Sequence, residues 1–253
     1  MDAISNYTCI PINNCINPIK GSQDNKYTQA FSEDYLEIIA RQQYYIENYK
    51  YLSKEELTEF IDKMSKYYGV RSSDIKFVEM DTVGFKSLNR EATERFTGFT
   101  IRGRKQGYGY LYYTNGNLKN IGIYKNDKLN GTEVKTYYDI NECIVSFQGD
   151  MIDGVKHGVG KEFYKNGNAM YDGQFRNNEW NGEIVKIYHY EGGLEYEGQI
   201  LRGMREGMGK SYHENGMLQY DGMWENDKPE GLDIVLYNQI GDVIYKGISE
   251  NKY

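Results

Sequence analysis

Histidine, cysteine and proline each occur only three times along these 253 residues, and tryptophan twice. Each scarcity excludes something. His157, His189 and His213, and likewise Cys9, Cys15 and Cys143, stand at spacings that match neither a zinc set nor a disulfide framework, so free thiols in reducing surroundings are expected. There is no nucleophile elbow, no phosphate-cradling Gly-x-x-x-x-Gly-Lys-Ser/Thr loop and no Cys–His constellation. No helix follows any Gly-x-Gly pair in the way a dinucleotide fold requires. Catalytic residues, metal ligands and cofactors are therefore assigned to none of the positions, and the chain is not expected to be an enzyme. No apolar run reaches the length of a membrane span. The first residues lack the basic stretch and apolar run of a signal peptide, so the Asn6-Tyr7-Thr8 sequon carries no meaning and the protein is expected to be cytoplasmic, not secreted. Basic excess is missing too: the formal net charge is −7 and the pI about 5.2. That removes the electrostatic ground for a nucleic-acid partner.

What the chain has in quantity is tyrosine and glycine, 26 and 28 residues. They are placed periodically. An aromatic residue, a spacer and a glycine recur at Phe96/Gly98, Phe147/Gly149, Tyr171/Gly173, Tyr196/Gly198, Tyr220/Gly222 and Tyr245/Gly247. A degenerate copy at Asn120/Gly122 has lost its aromatic. Nine positions after the first glycine stands a second, at Gly107, Gly131, Gly158, Gly182, Gly207 and Gly231, and six further on a ring at Tyr113, Tyr137, Tyr164, Tyr188, His213 and Tyr237. A period of 24 to 25 residues marks a repeat architecture. The one longer interval places extra residues near Asn141 to Val145, to be absorbed in a turn.

Each copy reads as a β-hairpin. Tyr171 to Phe175 forms a first run, the turn-rich Arg176 to Gly182 comes next, and Glu183 to Tyr188 forms a second. Strand side chains alternate, so Tyr171, Gly173 and Phe175 share a face. A glycine inside a strand admits close approach, and a ring from a neighbouring repeat is expected to lie on it. Lys165-Asn-Gly167 and Glu214-Asn-Gly216 are hairpin signals joining one repeat to the next.

The segments Gly158-Val-Gly-Lys-Glu-Phe-Tyr-Lys-Asn-Gly-Asn-Ala-Met-Tyr-Asp-Gly-Gln-Phe175 and Gly207-Met-Gly-Lys-Ser-Tyr-His-Glu-Asn-Gly-Met-Leu-Gln-Tyr-Asp-Gly-Met-Trp224 resemble MORN repeats, the membrane occupation and recognition nexus. The Gly-x-Gly pair is complete at 107/109, 158/160 and 207/209 but becomes Gly131-x-Glu133, Gly182-x-Ile184 and Gly231-x-Asp233, copies expected to bend differently. The resemblance implies a mainly β fold: an elongated single-layer antiparallel sheet of about six to seven hairpins over residues 96–253. Chains made of such repeats with little else resemble cytoskeletal and ciliary scaffolds, notably the radial spoke head family.

Residues 1–31 read as an extended arm whose Tyr7, Ile10, Ile12, Ile16 and Ile19 exceed what a solvating tail needs. Residues 32–95 read as a helical hairpin and connector. Tyr35, Ile38, Ile39, Tyr45, Ile46, Tyr49 and Leu52 keep helical spacing. Ser53-Lys-Glu-Glu56 is a capping box, Leu57, Phe60, Ile61, Met64, Tyr67 and Tyr68 form the second stripe, and Gly69 stops it. Either this pair caps the first sheet edge, which a solenoid requires, or it docks a partner. Residues 74–88 are expected to run as strand or loop into the first repeat.

Apolar residues at adjacent strand positions put aromatic rows on both sides of a single layer, which calls for other protein subunits or self-association. The expected function is a non-catalytic scaffold in a large cytoskeletal or axonemal assembly. The expected contacts are Tyr7, Ile10, Ile12, Tyr171, Phe175, Tyr188, Tyr196, Tyr212, Tyr220 and Trp224. An accessory subunit of an enzyme complex is the same surface with a different partner. The alternative, a peripheral membrane adaptor, would bind anionic lipid through Arg102, Arg104, Lys105 and Lys119.

Overall fold

The computed structural model describes residues 32–79, 95–139 and 143–248. It divides into two compact units, Met1–Cys143 and Ile144–Tyr253. The division falls among the repeats, so the helices and the first two hairpins belong to one unit. The arm residues Tyr7, Ile10 and Ile12 lie outside the described residues.

In the first unit, α1 (Glu33–Asn48) starts where Ser32 accepts the Tyr35 amide proton, and α2 (Lys54–Tyr68) starts at the complete Ser53/Glu56 capping box. Gly69, at φ +62°, ends α2 in the left-handed conformation that glycine adopts without a Cβ penalty. Both stripes are as spaced in the sequence: Ile38, Ile39, Tyr45 and Ile46 of α1 and Phe60 and Met64 of α2 are buried. The strand β1 (Ile75–Val78) pairs antiparallel with β2 (Arg95–Ile101), succeeded in order by β3 (Arg104–Tyr112), β4 (Leu118–Lys125) and β5 (Lys128–Tyr137).

The helices do not cap an edge. β1 fills it, a short strand as edge strands tend to be. α1 packs on β2 and β3 and α2 on β1, where Ile38, Tyr45, Phe60, Met64, Ile75 and Phe99 form one core. The Tyr45 and Phe60 rings stack 4.6 Å apart, and Phe99 meets both edge-on.

The second unit is an antiparallel meander: β6 (Val145–Ile152), β7 (Val155–Phe163), β8 (Ala169–Arg176), β9 (Glu179–Tyr188), β10 (Leu194–Leu201), β11 (Met204–Tyr212), β12 (Leu218–Glu225) and β13 (Lys228–Glu230). A separate pair, β14 (Ile234–Tyr237) and β15 (Val243–Gly247), ends it. The fold is thus mainly β, single-layer and antiparallel in its repeats, with a helical hairpin before them.

Two expectations are corrected. The turn within each hairpin is two residues long, Asn177-Asn178 in the copy between β8 and β9, with φ of +54° and +71°. This is the primed geometry that matches strand twist. The second glycine is consequently not in the turn but inside the returning strand, at a bulge. Gly98 faces Gly109 while Thr100 faces Lys105, so two steps on β2 take up four on β3, around Gly107 at φ +79°. Cys143 is also disulfide-bonded, its other sulfur lying outside the described residues. Linear spacing does not report which sulfurs a fold brings together.

Candidate interaction surface

One face of the repeats is built from rings lying on glycines. A Cβ added at Gly209 would come within 2.2 Å of the Tyr196 hydroxyl oxygen, and one at Gly198 within 2.6 Å. Phe147 covers Gly149 and Gly160 in the same way, and Phe96 covers Gly98 and Gly109. The ring comes from the glycine's own strand two residues earlier, not from a neighbouring repeat as expected. It spans two paired strands because both lack side chains there. The tyrosine hydroxyl then turns back to the backbone: Tyr196 donates to the Gln199 carbonyl at 2.9 Å and Tyr220 to the Met223 carbonyl at 2.9 Å. Tyr171, Phe175, Tyr196, Tyr220 and Trp224 are accordingly buried. Five expected anchors thus belong to the sheet's own packing: Tyr171, Tyr196 and Tyr220 are seated on glycines, and Phe175 and Trp224 pack edge-on against those rings.

The hairpins alternate between two kinds. The first kind, β2–β3, β6–β7 and β10–β11, has the full Gly-x-Gly pair and carries a cation early in its second strand, Lys105, Lys156 or Arg205. The second kind, β4–β5, β8–β9 and β12–β13, carries Tyr124, Phe175 or Trp224 one residue before the end of its first strand. The cation lies over the rings of both. The Arg205 guanidinium carbon is 5.2 Å from the Tyr196 centroid and 5.0 Å from that of Trp224. The Lys156 ammonium is 5.0 Å from Phe147 and 5.8 Å from Phe175, and Lys105 lies 5.9 Å from Phe96 and 5.6 Å from Tyr124. Each ring pair is edge-to-face, 5.2 to 5.5 Å apart. The cation's own amide is held by the second hairpin's turn: Lys105 N–H donates to Asp127 Oδ1 at 2.8 Å, Lys156 to Asn178 Oδ1 at 2.9 Å and Arg205 to Asp227 Oδ1 at 2.8 Å. Carboxylates complete the arrangement, Glu162 on Lys156 and Glu195 on Arg205 at 2.6 Å. The structural unit is therefore a pair of hairpins, a period signalled in the sequence by the Gly-x-Gly pair surviving only in alternate copies.

The same alternation shifts the ring rows. In the second kind two steps take up five, Ile121 facing Lys135 and Ile123 facing Asn130, and the extra residue displaces the rest of the strand by one position. The true inter-repeat staples are Tyr113 and Tyr164 hydroxyls donating to the carbonyls of Tyr137 and Tyr188, 2.9 and 2.8 Å. His189 and His213 stand in the tyrosine's place, their Nε2 atoms 3.2 and 2.8 Å from the Tyr212 and Tyr237 carbonyl oxygens. The two imidazoles are structural donors here.

The opposite face of the second unit is different. Gln148, Lys161, Asp172, Lys186, Glu197, Lys210 and Asp221 face one another in unbroken register across β6 to β12. Six of the seven alternate in sign, closing as Lys161–Asp172 at 2.7 Å, Lys186–Glu197 at 3.5 Å and Lys210–Asp221 at 2.7 Å. Asp172 raises the Lys161 ammonium above its ordinary range, and Asp221 does the same to Lys210. Two residues along the strands to one side stand Val159, and Met208 paired with Met223, exposed at 47, 56 and 47 %. To the other side stand Phe163, Tyr188 and Tyr212, half-buried. Tyr188 and Tyr212 are thus the two described candidates that remain at an accessible face.

Three of the four basic residues expected to meet lipid have partners within the chain. Arg102 Nε lies 3.3 Å from Asp74, Lys105 is over its two rings, and the Lys119 ammonium is 5.4 Å from the Tyr113 ring. Arg104 opens β3 at the surface. Among the described residues no group of three His, Cys, Asp or Glu could hold a metal ion, and no helix is long and apolar enough to cross a membrane.

The MORN repeat family model matches residues 101–118, 147–169, 171–183, 196–217 and 220–232. The unmatched stretch between the first two contains the hairpin in which Asn120 replaces the ring, its Oδ1 accepting from the Tyr124 hydroxyl. No curated protein matches the chain.

Proposed function

We propose, from the premise that MORN repeats occupy part of this chain between residues 101 and 232, that it is a non-catalytic scaffold subunit that binds other proteins in a large assembly. One observation carries this reading. The second unit packs its ring face with its own side chains, while no described element covers its ladder face, where apolar Val159, Met208 and Met223 stand beside half-exposed aromatic residues. Exposed apolar area of this kind on a rigid repeat surface is what interaction scaffolds present. The resemblance to scaffolds of the radial spoke head kind supports a cytoskeletal or axonemal assembly as the finer reading, and self-association falls within it.

The test is recovery of the tagged full chain from its native cell at moderate salt, with mass spectrometry of what stays bound, beside flotation on anionic liposomes. A defined set of subunits without flotation supports the scaffold. Flotation without such subunits replaces it with the membrane adaptor.

A further inference from the structure

The chain already shows what covers the ladder face in one place. In the first unit the positions equivalent to Val159 and Lys161 are Tyr108 and Tyr110, and α1 lies on this strand. It sets down Ile38, Gln42 and Tyr45, residues one helical face apart, and Gln42 Oε1 accepts the Tyr108 bulge amide at 2.9 Å. The helix supplies that acceptor because Phe99 stands where the equivalent hairpins carry Asp150 and Gln199. In the second unit the bulge is served from within, the Val159 amide donating to Asp150 Oδ2 at 3.1 Å. A helix on that face needs no buried amide.

We infer that the ladder face of the second unit docks an amphipathic α-helix of a partner protein, with its charged residues recurring every seven positions, lying across the strands. This rests on the scaffold reading and names its partner class. The period is set by the sheet: strands are about 4.8 Å apart, so like charges in the ladder recur about every 9.6 Å. Seven residues of α-helix rise about 10.5 Å. Three lysines and three carboxylates therefore stay in step with such a helix over three repeats. Apolar residues on either side of its charged line fall on the Met208–Met223 pair and on the Tyr188 and Tyr212 rings. Methionine suits this contact because its unbranched side chain adapts to the knobs it meets. On β2 and β3, where α1 lies, the ladder positions are the uncharged Thr97 and Tyr110; across β7 to β12, where no described element lies on them, they alternate in sign.

The test reverses the ladder while keeping its internal pairs. Lys161, Lys186 and Lys210 are each changed to Glu, and Asp172, Glu197 and Asp221 each to Lys, in the full chain. Circular dichroism and thermal melting confirm that the sheet is retained. A photo-crosslinking residue at Met208 or Met223 of the otherwise native chain then reports what lies on the face. The expected result is a drop of about tenfold or more in recovered partner, the difference made by roughly one well-placed charged contact. Crosslinks should fall in a partner segment with heptad-spaced apolar residues. Unchanged recovery with the reversed ladder overturns the inference, as do crosslinks confined to lipid, to an extended segment or to a second copy of this chain. Failure of the scaffold reading looks different, since the native chain itself then recovers no subunits.

Discussion

Gly209 and Tyr196 illustrate how much of this fold is decided one residue at a time. Gly209→Ala places a Cβ on the Tyr196 ring, and overpacking of this kind costs roughly 1–3 kcal/mol. Urea unfolding should show the loss, and shortening the ring in the same chain, Tyr196→Leu, should return part of it; an unchanged midpoint for Gly209→Ala would contradict the seat. Burial also pushes the Tyr196 hydroxyl up to about 12 from its ordinary 10.0. Below pH 10 both folded and unfolded chains keep the proton and the stabilisation is whole. Between pH 10 and about 12 only the unfolded chain ionises, so stability falls as pH rises through that window. Tyrosinate absorbance and circular dichroism tracked together should change in one step there, and Tyr196→Phe should move the step to higher pH. The pairing of ring and glycine was legible in the sequence as alternation. Which strand donates the ring was not, because period-two spacing gives the face and not the direction in which a side chain lies.

At the level of elements, the helices were the most readable part, since capping box, stripe and stop signal agree with one another. Ser53→Ala removes the acceptor of the Glu56 amide and the donor to its carboxylate, and should cost about 1 kcal/mol, read as a lower melting temperature. Where α1 and α2 rest was not readable. That depends on Gln42, a polar residue inside an apolar stripe, whose partner is an amide 66 positions away. Gln42→Leu should destabilise by roughly 1–3 kcal/mol, because the Tyr108 amide is then buried without an acceptor. A variant as stable as the native chain would show that the amide finds another partner. The strand rows were legible only up to the bulges. Counting six residues from every second glycine fails wherever Glu133 or Ile184 replaces the Gly-x-Gly partner, and it hid His189 in the staple row.

For the whole molecule, composition correctly bounded the fold but misjudged its sulfur chemistry. Alkylation of the denatured, unreduced chain should leave Cys143 unlabelled, and reduction should expose it in the mass of its tryptic peptide. Labelling before reduction would restore the free thiol that spacing suggested. The open contacts were half legible for a related reason: tyrosine and tryptophan stand out as anchors in a sequence, yet here they are the filling of the sheet. The residues left for a partner are methionine, valine and paired charges, which carry no signal until register aligns them.

The pairing of unlike hairpins also governs how a chain of this build changes length. Arg205 needs Tyr196 from its own hairpin and Trp224 and Asp227 from the next, so removing one hairpin sets two of the same kind side by side. A cation then loses its second ring and its amide loses its acceptor. Duplications and deletions that preserve the sheet therefore come in steps of about fifty residues, the distance from Gly149 to Gly198. Reach across an assembly is counted in whole four-strand blocks.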